Sequence, residues 1–181
     1  ILQAAANTLG SAAVAAMTAG GRIVSFLACP YDAMGSTMAT YGGQNVGAGK
    51  LERIGKGLKS CVILGAIYSA MALLLAVFFG DALATLFVEK DELSIIGDVH
   101  KFLLLNTLFF FPLALVNIIR FLIQGMGFPK FAILAGVFEM VARSVAGFGL
   151  VPFIGFTGVC LGSPFAWIMA DIFLIPAYFH V

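Results

Sequence analysis

CVILGAIYSAMALLLAVFF, the run from Cys61 to Phe79, is nineteen residues long and carries no charge. A helix rises 1.5 Å per residue, so about 20 apolar residues cross the ~30 Å hydrocarbon core of a bilayer. This run therefore has the length and composition of a membrane span. Working outward from it, four more stretches qualify. Ser11 to Gly42 is long and contains Pro30. Phe102 to Ile119 is apolar except for Asn106, Thr107 and Asn117, with Pro112 inside. Phe131 to Val151 is broken only by Glu139, Arg143 and Ser144, and Phe156 to Phe179 carries the single charge Asp171, with Pro164 and Pro176. Ile1 to Thr8 reads as a partial helix before a tight turn at Leu9-Gly10-Ser11. The expected fold is all-α, a polytopic transmembrane helix bundle of five full spans plus a truncated first span. Residues 1–181 are expected to form one transmembrane unit, with helices at about 1–8, 11–42, 60–79, 102–122, 131–151 and 156–179.

The composition of the 181-residue chain agrees. Hydrophobic residues are 61% and charged residues 10%, too few to cover the surface of a water-soluble domain. Disorder and an interfacial amphipathic protein are excluded for the same lack of charge. With a net charge of +1 there is no field to recruit nucleic acid, so no nucleic-acid partner is expected. Cys29, Cys61 and Cys160 lie singly in apolar runs and read as free thiols. His100 and His180 are isolated, so neither a metal site nor a catalytic centre is expected, and no enzyme motif occurs. Gly47-Ala48-Gly49-Lys50 ends like a phosphate loop but has Gln44 where the first glycine belongs and no hydroxyl residue after the lysine. Ile1 opens inside an apolar stretch with no basic leader, and the chain is expected to be cut from a longer one.

Charge sits in the connections. Lys50, Arg53, Lys56, Lys59 and Lys130 fall on one side of the membrane, five against Lys90 and Lys101 on the other. The positive-inside rule puts the first side, and the C-terminus, in the cytoplasm of a multi-pass cell-membrane protein. The acid-rich 80–101 connection then faces outside, with Ala82 to Val88 expected as a short interfacial helix.

Charges inside spans cost about 2.5–3.5 kcal/mol each on insertion scales and point to function. Asp32, Glu139 and Asp171 fall at similar depth, roughly 12–15 Å from the cytoplasmic ends of their helices. They are the candidate transport-pathway residues, taking up a cation or a proton. Glu139 and Arg143, four apart on one helix face, are also read as a structural ion pair. Asp32 ranks first because Pro30 is expected to break the helix beside it, and Asp171 second because Pro176 follows it. Phe109, Phe110 and Phe111 before Pro112 read either as an aromatic wall for flat cations or as packing.

Three segments together carry a family resemblance. Met38 to Arg53 holds the run Gln44-Asn45-Val46-Gly47-Ala48-Gly49-Lys50 followed by basic residues, taken as a cytoplasmic loop motif built on Gln44, Asn45, Gly47, Gly49 and Lys50. It resembles the loop after the eighth helix of the multidrug and toxic compound extrusion (MATE) family. Ala5 to Ser11, with Val14-Ala15-Ala16, is similar to the turn between that family's seventh and eighth helices, and Arg120 to Gly127 to the end of its tenth. The resemblance implies a C-terminal six-helix lobe, half of a twelve-helix two-lobe antiporter. Such a protein exports organic cations or drugs in exchange for Na⁺ or H⁺, with no other cofactor. The implied partners are the N-terminal lobe of the same protein, small organic cations and the lipid bilayer. Sodium-coupled members use acids on the seventh and tenth helices, and Phe102 to Ile119 contains none. A lipid-linked oligosaccharide flippase of a related class, or a non-transporting membrane assembly protein, stays open as an alternative.

Overall fold

The computed structural model describes residues 2–89 and 92–181. Ile1 of the expected first helix, and Lys90 and Asp91 of the expected outer connection, lie outside the described residues. The described chain is helical from end to end: α1 (Leu2–Asn7), α2 (Ser11–Gly47), α3 (Glu52–Ala84), α4 (Leu93–Leu108), α5 (Phe110–Gly125), α6 (Pro129–Val145), a π-helical turn (Ala146–Leu150), α7 (Val151–Ile154) and α8 (Phe156–His180). Four segments are long and apolar enough to cross a membrane: α2, α3, Pro129–Ile154 and α8. The pair α4 and α5, bent by 50° at Phe109, makes a fifth. The molecule is an all-α polytopic bundle.

Several boundaries differ from the sequence expectation. α2 runs five residues past Gly42, and α3 starts at Glu52, well before Ser60. The cytoplasmic-type connection expected over 42–59 is thus the turn 48–51. Gln44, Asn45 and Gly47 belong to the last turns of α2, and only Gly49 and Lys50 of the expected loop motif lie in the turn itself. The reason is local: Asn45 satisfies its own side chain at 2.8 Å on the Tyr41 carbonyl, so the helix continues through it. Gly49 then takes φ +67°, the left-handed conformation a glycine permits, and ends the run. Ala82 to Val88 is not a separate interfacial helix; α3 carries on to Ala84 and closes in turns. Pro30, Pro164 and Pro176 sit inside unbroken helices.

Pro112 does break its span. Its ring excludes the carbonyl four residues back, that of Leu108, and it offers no N–H, so α4 stops there and α5 restarts at Phe110. The bend drives Phe110 into the core, where its ring meets Tyr31 and Trp167 edge-on at 5.5 and 6.3 Å. The aromatic-wall reading of residues 109–111 fails for Phe110, which is fully buried.

α2 lies lengthwise on α5 and also packs on α3 and α4, while α6 packs on α8. At the end of α5, a Cβ on Gly125 would strike the backbone of Ala39, so only glycine lets the two helices touch. Buried polar groups tie the helices together. The Ser69 hydroxyl donates to the Gly65 carbonyl at 2.7 Å and accepts from Tyr31 at 2.8 Å, joining α2 to α3. Asn106 donates to the carbonyls of Phe102 and Cys160, joining α4 to α8.

Candidate functional site: a polar stripe and a buried charge cluster

Among the described residues, charged side chains within the spans gather in two places. The first is the exposed side of α2. Thr18, Arg22, Ser25, Cys29, Asp32, Ser36, Thr40 and Gln44 recur at three- and four-residue spacing, so they share one face. That face extends about 39 Å along the helix. The opposite face, through Ile23, Leu27, Tyr31, Gly35, Met38 and Gly42, is buried in the lobe. Thr18, Ser36 and Thr40 donate to carbonyls one turn back, at 2.8, 2.9 and 3.2 Å. Asp32 cannot settle its charge in this way: among the described residues its carboxylate has no ion-pair partner. At the Arg22 end the stripe opens onto a cavity of about 520 Å³ also lined by Glu89 and Glu92.

The outer faces of α3 and α6 are apolar along their middle turns. α3 presents Ile63, Leu64, Ile67, Met71, Leu74 and Phe78, and α6 presents Ile133, Leu134, Val137, Met140 and Val141. These are lipid-facing surfaces. An unpaired carboxylate amid lipid would cost about 2.5–3.5 kcal/mol, so the α2 stripe is built for a different neighbour.

The second place is inside the lobe, where α5, α6 and α8 meet. Arg120 of α5 donates to Glu139 Oε1, and Arg143, four residues on from Glu139, donates to Oε2 at 3.2 Å. Glu139 thus has a guanidinium on each oxygen. Sequence reasoning gave it Arg143 alone, because Arg120 is placed nearer the end of its span. What the spacing hides is the reach of an arginine stem across a helix interface. Asp171 of α8 is 7% exposed, and its Oδ1 is buried with no hydrogen-bond partner. α5, which carries Arg120, and α6, which carries Glu139 and Arg143, both pack on α8.

The three acids are therefore not one constellation. Glu139 and Asp171 share the buried cluster, while Asp32 lies on the exposed stripe. The hydroxyl periodicity of α2 was present in the sequence but lies outside the acid-based candidate set.

The MatE family model matches residues 1–148. The curated proteins and the solved structures contain no match to the chain.

Proposed function

The chain belongs to the MatE family of membrane transporters, and from that premise we propose that it is one lobe of a secondary antiporter exporting organic cations or drugs against Na⁺ or H⁺. The observation that carries this reading is the α2 stripe: one exposed face carries polar side chains from Thr18 to Gln44, interrupted by Phe26, while α3 and α6 expose apolar side chains. A polar membrane face with an unpaired acid fits the wall of an aqueous path completed by a second lobe. The N-terminal lobe of the same protein supplies that second wall. Asp32, on the stripe, is the carboxylate that meets the cation on its way.

The same reading gives the orientation. The 48–51 turn, the 126–128 turn and the C-terminus face the cytoplasm, since Lys50, Arg53, Lys56, Lys59 and Lys130 gather there. The Arg22 end of the stripe, with Glu89 and Glu92, opens outward. A stripe holding one arginine suits a cation better than the phosphates of a lipid-linked sugar, which call for several.

The test is Asp32→Asn in the full-length protein, reconstituted in vesicles with tetraphenylphosphonium as the transported cation. Ion-driven efflux should fall to background with the amount of folded protein unchanged. Wild-type efflux from the variant would remove Asp32 from the path.

A further inference from the structure

The buried cluster is not needed to line a path, yet it has an asymmetry that a purely structural network would not keep. Glu139 has two arginines and Asp171 has none bonded to it. One of the two arginines is redundant, because Arg143 is on the same helix as Glu139 and stays beside it whatever the other helices do. Arg120 is free to leave Glu139 without stranding it. The four side chains can therefore be paired in a second way, Glu139 with Arg143 and Asp171 with Arg120, in which every charge is matched. In the arrangement observed, Asp171 has no arginine bonded to it, and a lone carboxylate in a protein interior at membrane depth is costly. A proton on Asp171 removes that cost.

We propose that Asp171 is a proton-binding site of this lobe, with Arg120 passing between Glu139 and Asp171 as the proton arrives and leaves. When the Asp171 O–H bond breaks, the proton passes to water and the carboxylate left behind accepts the N–H donors of Arg120. Glu139 keeps Arg143. When the proton returns, Arg120 goes back to Glu139. The ligand is a proton and not a metal cation. Two guanidiniums stand in the cluster, both Glu139 oxygens are taken, and among the described residues no three His, Cys, Asp or Glu side chains come together.

The other charged groups near these helices leave this exchange alone. α5 supplies only Arg120, α6 supplies Glu139, Arg143 and, at its start, Lys130, and α8 itself adds Tyr178 and His180 in its last turns, seven and nine residues beyond Asp171. On α4, Lys101 bonds Thr157 at the far end of α8, with Asp98 and His100 beside it. Arg22 and Asp32 of α2 are exposed on the stripe. Because α5 is also the main packing partner of α2, a shift of Arg120 is felt by the helix that carries the stripe. That link to transport rests on the antiporter reading above; proton binding by Asp171 does not.

The experiment separates the two. Infrared difference spectra of the full-length protein are recorded across a pH series, reading the C=O stretch of a protonated carboxyl. The band should appear in the wild type, vanish in Asp171→Asn, return at a shifted position in Asp171→Glu, and persist in Asp32→Asn. In vesicles, Asp171→Asn should lose tetraphenylphosphonium efflux driven by a pH gradient while still exchanging labelled for unlabelled tetraphenylphosphonium. A band that survives in Asp171→Asn, or pH-driven efflux at the wild-type rate, overturns the proposal. A wild type that shows the Asp171 band but moves no tetraphenylphosphonium overturns the antiporter reading instead.

Discussion

α2 and α3 are neighbours in sequence and in space, they are the two longest helices, and each exposes one face along its length. The α3 face is Ile, Leu, Met and Phe; the α2 face is mainly Thr, Ser, Arg, Asp and Gln, with Phe26 as its one large apolar side chain. Equal exposure in an isolated lobe thus covers two different solvents. A face that meets hydrocarbon must have no unmet polar group, and α3 obeys that rule. A face that carries an unpaired acid midway along a membrane helix must meet water or a polar partner. α6 sides with α3: its outer face is apolar, and its acid, Glu139, is turned inward onto two arginines.

The contrast breaks hardest at Glu139. With lipid outside α6, Glu139→Gln strips Arg143 of its counter-charge and leaves Arg120 only Asp171 to turn to, and should cost about 3–5 kcal/mol, as for one partner removed from a buried ion pair. Thermal denaturation of the purified protein reads this, and an unchanged melting temperature would mean that the cluster is wet.

A smaller effect separates the two outer faces directly. Ile67→Arg, midway along the lipid face of α3, should cost about 2.5–3.5 kcal/mol, whereas Ala33→Arg on the exposed side of α2 should stay within ~0.5 kcal/mol. Folded yield in the membrane compares the pair. Equal losses would put both faces in lipid and end the distinction.

The mildest probe changes no residue. Cys29 lies on the stripe, while Cys61 and Cys160 are buried. A charged, membrane-impermeant maleimide should label Cys29 in the full-length protein and spare the other two, since thiolate attack needs water and access. Labelling of Cys29 by lipid-soluble reagents alone would count against an aqueous path.

How much of this was legible in the chain follows from the kind of physics each feature obeys. Cys61 to Phe79 fixes a span by length and hydrophobicity, which are properties of the segment itself. The helical class and the number of spans were readable for the same reason. So was the Glu139–Arg143 spacing, because four residues along a helix is a local distance. The helix ends were misjudged where side chains finish their bonding locally: Asn45 on the Tyr41 carbonyl lets α2 run on, and Pro30 sits in a helix that packing holds together. Two things needed the fold. One is which side of α2 is covered, since its outer face gains meaning only once α5, α3 and α4 are seen to occupy the other. The second is the meeting of Arg120, Glu139 and Asp171, on helices separated by 19 to 51 positions in the chain. A chain pattern states which charges exist and how deep each lies; only packing decides which of them share a low-dielectric interior, and so which one is left without a partner.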